Sequence, residues 1–142
     1  MKKHSKIFHT FDHTADLGVK VFGTNIEELF KNSVQALTKL LIGNLNLPAQ
    51  SSETIELEAS DREMLLHELL SETLYLFGSE NIIITQIEEI ILGDNNIKLK
   101  VKTCDRIKEE IEIKREIKAV TYHQFMIGRE NGNYYATFVL DI

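Results

Sequence analysis

The sequence predicts a single α+β domain, one mixed β-sheet with two amphipathic helices packed on it. Three observations carry that expectation. Two stretches place apolar residues at helical spacing, each bracketed by capping residues. Around them, short segments alternate apolar and polar residues as half-buried strands do. The chain of 142 residues, 43% hydrophobic and 27% charged, is long enough for one core and leaves little room for a second.

Ile7 to His13 reads as an opening strand. Leu17 to Gly23, with Leu17, Val19 and Val21 alternating, reads as a second. Thr24 and Asn25 are both good N-caps, and each has a glutamate three positions on, Glu27 and Glu28, the capping-box spacing. Ile26, Leu29, Phe30, Val34, Leu37, Leu40 and Leu41 then form one helical stripe, which Gly43 would stop. Leu45 to Ser52, holding the only proline, Pro48, reads as a connection. Thr54 to Ala59 alternates as a strand. Ser60 with Glu63 makes another capping box, opening a second helix through Met64, Leu65, Leu69, Thr73 and Leu76, with Gly78 as its expected end.

After this β-α-β-α opening the pattern changes. Ile82 to Leu92 and Ile97 to Cys104 are strand-like, joined by the turn-rich Gly93-Asp94-Asn95-Asn96. Asp105 to Arg115 is dense in charge and fits either a strand or a short helix. Ile117 to Ile127 and Tyr134 to Leu140 read as the last strands, linked by Glu130-Asn131-Gly132-Asn133; Asn-Gly is the strongest short hairpin signal. The chain shows no internal repeat, low-complexity stretch or interdomain linker.

Charge and cysteine content narrow the function. Sixteen Lys and Arg against 22 Asp and Glu give a formal net charge of −6. Such a chain repels phosphate backbones on average, which argues against nonspecific nucleic-acid binding. One cysteine, Cys104, allows no intrachain disulfide and suits a reducing compartment. The opening Met1-Lys2-Lys3-His4-Ser5-Lys6 is followed by no apolar run, so no signal peptide is expected, and no apolar stretch approaches the ~20 residues of a membrane helix. The expectation is a soluble, cytoplasmic protein. There is no P-loop, no GxGxxG, no GxSxG and no CxxC, so neither a known phosphate cradle nor a cysteine zinc site is supported.

Three places are richer in functional groups than a scaffold needs. In Phe11-Asp12-His13-Thr14-Ala15-Asp16-Leu17-Gly18, two carboxylates lie four residues apart between strands. They serve equally as loop caps or as oxygen ligands of a hard cation. At the other end, Val139-Leu140-Asp141-Ile142 finishes an apolar strand with an aspartate and an isoleucine bearing the α-carboxylate. Burying both negative groups unpaired costs several kcal/mol, so a cation, a lysine or solvent must resolve them. The third place is Glu116 to His123. As a strand it puts Lys118, Val120 and Tyr122 on one face and Ile117, Ala119, Thr121 and His123 on the other. Lys118 there is either an edge lysine that blunts aggregation or the neutraliser of nearby carboxylates.

These residues resemble a known family. His13-Thr14-Ala15-Asp16-Leu17-Gly18 is similar to the HTADxG signature of archease, Ile117-Lys118-Ala119-Val120-Thr121-Tyr122-His123 resembles its IKAxTYH segment, and Asp141-Ile142 its terminal Asp-Ile. The resemblance spans nearly the whole chain. It implies a divalent cation, calcium above magnesium or manganese, held by Asp16, Asp141 and Ile142. Asp12, His13 and Lys118 are candidates for further site or partner-contact residues beside them. It also implies a non-enzymatic partner of the tRNA-splicing RNA ligase, one that promotes guanylylation of the ligase's active-site histidine and multiple turnover. An older proposal for the family is a chaperone of a tRNA cytosine methyltransferase. Three carboxylates favour such hard cations over zinc or copper. The rival reading is a metal-dependent hydrolase in which Asp12, Asp16 and His13 surround an activated water. The plainest is an interaction domain whose carboxylates only cap loops.

Overall fold

The computed structural model describes residues 7–13, 16–44 and 46–142. β1 (Phe8–His13) and β2 (Asp16–Gly23) form an antiparallel pair, followed by α1 (Ile26–Ile42), β3 (Ser51–Glu58) and α2 (Arg62–Glu80). The second half is all strand: β4 (Ile82–Leu92), β5 (Asn96–Asp105), β6 (Ala119–Val120), β7 (Met126–Glu130) and β8 (Asn133–Asp141). The α+β class and the two packed helices are as the sequence predicts. Where one mixed sheet was expected, the described strands divide into two sheets whose pairings are all antiparallel. One sheet has the order β1-β2-β8-β6, with β7 also pairing β8; the other is β3-β5-β4.

Both helices touch both sheets: α1 packs on β2, β8 and β4, and α2 on β3, β4 and β6. One core results, in which Phe30, Leu37, Leu66, Leu99, Phe138 and Leu140 are fully buried. Each such side chain contributes ~1.5–3 kcal/mol relative to exposure. The alternation in β2 and β8 turns Val19, Val21, Phe138 and Leu140 inward, which leaves Asp16 and Asp141, both half-buried, at the far end of the same strand pair.

Local signals decide where the helices begin and end. Of the two candidate caps before α1, Asn25 takes the position, its Oδ1 accepting from the Glu28 N–H at 2.8 Å. Glu28 in turn accepts from the Thr24 N–H. Gly43 ends α1 in the left-handed conformation, φ 76°. For α2 the expected Ser60–Glu63 box does not form. Asp61 is the cap, its carboxylate accepting from the Met64 N–H at 2.9 Å, because the Glu63 carboxylate is drawn away to accept from the Ile127 N–H at 2.9 Å. Gly78 does not end α2 either. The helix continues to Glu80, and Asn81 supplies the left-handed stop at φ 57°, fixed by Arg106 donating to its Oδ1 at 2.7 Å.

Two later segments differ from expectation. Within Asp105 to Arg115 there is neither a helix nor any strand beyond the end of β5. A run of turns follows, capped by Asp105 Oδ1, which accepts from the N–H groups of Ile107 and Lys108. Further on, the N–H groups of Lys114 and Arg115 both reach the Leu41 carbonyl at the end of α1. Ile117 to Ile127 is not one strand but the two-residue β6, a turn and the start of β7. The expected two-face alternation fails accordingly: Ile117 and Val120 are both buried while Lys118 and Ala119 between them are exposed. The Asn131-Gly132 hairpin forms as expected, with φ values of 54° and 82°.

Candidate functional site

The pairing of β2 with β8 is in register along its whole length, so Asp16 stands directly opposite Asp141. Two residues so paired on one face of an antiparallel ladder have Cβ atoms ~4.5–5.5 Å apart, and like charges there repel. Asp141 is also the register partner of Ala119, and its carbonyl accepts from the Lys118 N–H at 2.7 Å. The strand end therefore gathers backbone from three distant segments: the start of β2, the end of β8 and the Lys118 to Tyr122 strap. Ile142 follows directly, 38% exposed.

Lys118 joins this end through its backbone, and its side chain is exposed. Asp12 and His13 close β1, with their backbones opposite Leu17 and Asp16; their side chains, and Thr14-Ala15, lie outside the described residues. Gly18 has a steric role. A Cβ added there would run into the Phe11 ring, which lies where any side chain would stand.

The strap is held from both sides. Toward β8, the N–H and hydroxyl of Thr121 both donate to the Val139 carbonyl, at 3.0 and 2.9 Å. Toward α2, His67, buried to 4% exposure, donates from Nε2 to the Val120 carbonyl at 2.9 Å. The Tyr122 ring stacks on the imidazole with centroids 3.9 Å apart. Sequence reading misses His67, which carries no motif. The signal that could have found it is its place in the buried stripe of α2, beside Leu66 and Leu70. His123, three positions along the strap from Val120, is exposed.

An implied hard cation is compatible with these donors. Two carboxylates face each other across the ladder, and the chain's last residue lies beside one of them. Among the described residues no three His, Cys, Asp or Glu side chains gather as a metal-holding group.

Fold and strand end together define a class: a small two-sheet α+β domain whose paired strands finish in facing aspartates beside a short strap. The Archease protein family (MTH1598/TM1083) matches residues 8–142. Protein archease of Thermococcus kodakarensis is 32% identical over 136 residues, 93% of this chain and 96% of that protein. Protein archease of Methanosarcina mazei is 32% identical over 146 residues, with both chains fully covered. The solution structure of Methanobacterium thermoautotrophicum protein 1598 superposes with a TM-score of 0.76 at 30% identity, covering 96% of this chain and 99% of that one. The crystal structure of an archease, possible chaperone, from Thermotoga maritima shares the fold, with a TM-score of 0.60 at 19% identity over 93% and 94% of the two chains. The chain belongs to the archease family. Among the described residues no helix is long and apolar enough to cross a membrane.

Proposed function

We propose that this protein is a non-enzymatic activator of the GTP-dependent tRNA-splicing RNA ligase, working in the cytoplasm, and that it presents a divalent cation, calcium above magnesium or manganese, at the β2–β8 end. The observation that carries the reading is the register of Asp16 against Asp141 in a chain of this family. Two carboxylates at one register position offer an oxygen-only set, which suits a hard cation. When bound, the cation supplies a positive centre able to meet phosphate or carboxylate oxygens of a partner.

The chain's own residues define the rest. Asp16 and Asp141 hold the cation, and the Ile142 carboxylate adds a third negative group. Lys118, exposed on the strap beside Asp141, contacts the partner's anionic groups. The net charge of −6 favours a basic cleft over free RNA, with an attraction that salt screens over ~8 Å at physiological ionic strength. Asp12 and His13 belong to the same end.

The test is ligation by the cognate ligase under multiple turnover, with GTP and divalent metal, with and without this protein. Guanylylation rate and number of turnovers should both rise. Asp16→Ala and Asp141→Ala should lose the effect while folding normally by circular dichroism. Lys118→Ala should weaken it. Turnover of RNA by this protein alone would favour the hydrolase reading instead, and unchanged ligase kinetics would remove the activator reading.

A further inference from the structure

Of the strap's anchors, the one least expected of a structural contact is His67. We infer that His67 is a positioning residue, holding the Lys118 to Tyr122 strap against β8 from the α2 side and thereby fixing the geometry of the Asp141 end. The consequence for cation binding rests on the proposed function; the positioning of the strap does not.

The geometry is specific to an imidazole. β6 has only two residues, Ala119 and Val120, too few to hold a place on ladder bonds alone. Its outer neighbour is α2, not another strand. The Val120 carbonyl therefore needs a donor from the helix, and His67 Nε2 supplies it at 2.9 Å. A carbonyl can only accept, so Nε2 carries the proton. The same ring offers its face to Tyr122, 14° from parallel, and packs against the Phe125 ring at 67°, centroids 5.3 Å apart. One side chain thus engages the strap at Val120 by its edge and at Tyr122 by its face, and meets the Phe125 ring beyond it. A phenylalanine would keep the stacking and lose the bond; a glutamine would keep a donor and lose the stacking.

One further fact ties this to the site rather than to general packing. The strap held by His67 is the same one whose Lys118 N–H donates to the Asp141 carbonyl, with Ala119 in register against Asp141. Loosening the Val120 end frees the backbone that frames one of the two facing carboxylates. The energetic link runs from α2 through the strap to the end of β8.

The experiment compares wild type, His67→Phe and His67→Gln by amide hydrogen exchange and by titration with terbium(III) as a luminescent calcium substitute. In His67→Phe the amides of Lys118 and Thr121 should exchange at least about tenfold faster, the scale of a lost bond to a buried carbonyl. Amides of the β2–β8 ladder, such as Lys20 and Phe138, should stay unchanged. His67→Gln should restore protection at Lys118 and Thr121 to within about threefold of wild type, because it returns the donor. Terbium affinity should fall in His67→Phe and recover in His67→Gln, by roughly the same factors if strap order sets the site. Unchanged exchange at Lys118 and Thr121 in His67→Phe overturns the inference, as does an equal acceleration through β2 and β8. Failure of His67→Gln to restore protection removes the hydrogen bond as the cause. Wild-type protein that binds no terbium would defeat the cation reading, while the exchange arm still decides the role of His67.

Discussion

The two sheets place charge in opposite ways. Along the three-stranded sheet, the lysines of β5 meet carboxylates or hydroxyls on either side. Lys98 stands opposite Glu56, Lys100 opposite Glu89, and Lys102 lies 3.0 Å from the Ser52 hydroxyl and 3.9 Å from Glu88. At the end of the five-stranded sheet, Asp16 stands opposite Asp141. The first arrangement is what a solvated sheet face needs, with opposite charges contributing ~0.2–1 kcal/mol per pair. The second sets two like charges at one register position. The contrast singles out the β2–β8 end as the place where the proposed function is to be tested.

The largest expected effect breaks this contrast directly. With calcium at ~100 times its dissociation constant, wild type should gain ~2.7 kcal/mol of stability. That is a rise of several degrees in melting temperature, read by differential scanning fluorimetry. Asp16→Ala and Asp141→Ala should gain nothing, and Lys100→Glu in the other sheet should respond as wild type does. An equal calcium response in all four proteins would show that the facing aspartates hold no cation.

A second test uses the place where the three-stranded sheet does crowd negative charge. Cys104, buried near the end of β5, has its thiol held above the ordinary value of 9.0, by burial first and then by Glu109 and Asp105. No cation is called for, because a thiol escapes the repulsion by keeping its proton. The native protein should react with iodoacetamide at pH 8 about tenfold or more slower than the unfolded chain. Since the folded pKa is raised, the unfolded chain gives up its proton first. Stability should therefore decline as pH rises past the ordinary thiol value toward the folded one. Alkylation of the folded protein at the rate of the unfolded chain would contradict both the burial and the charge argument.

Some of this was legible in the sequence, and the reasons it was or was not are local. α1 was readable because its stripe, its cap and Gly43 agree with one another. The ends of α2 were misread because Glu63 and Gly78 looked like local signals and were not. A tertiary bond to Ile127 claims the first, and Asn81 with Arg106 outcompetes the second. Ile117 to Ile127 alternates well enough to pass for a strand. Its pairing is interrupted because anchors from α2, His67 at Val120 and Glu63 at Ile127, hold it at two points. The motifs name Asp16 and Asp141, at opposite ends of the chain. Their apposition depends on a register that no local pattern encodes, and His67 had no motif at all.

The next effect down is Lys100→Glu. It converts an opposite-charge pair with Glu89 into a like-charge pair and should destabilise the protein by up to ~1 kcal/mol in low salt. Ligase stimulation should be untouched.

The smallest effect is the most discriminating, because the two sheets should then respond with opposite signs. Asp141→Asn keeps the shape of the side chain and removes one of two facing negative charges. In chelator-treated protein at low ionic strength, that change should stabilise by a few tenths of a kcal/mol, the magnitude of a like-charge cross-strand pair relieved. The same change should abolish the calcium-dependent gain, so the order of stability between Asp141→Asn and wild type should invert when calcium is added. Removing charge from the other sheet by Lys100→Gln should lower stability slightly in both conditions and produce no inversion. Urea titrations with and without calcium, at 20 and 200 mM salt, give both comparisons in one experiment. The inversion has a single physical source. If the pair repels without a cation and chelates with one, it costs the empty protein stability and returns it when loaded, whereas a paired lysine does neither. If Asp141→Asn is less stable than wild type in chelator as well, Asp141 is acting as an ordinary hydrogen-bonding residue of the strand end. The charge contrast between the sheets would then lose its functional meaning.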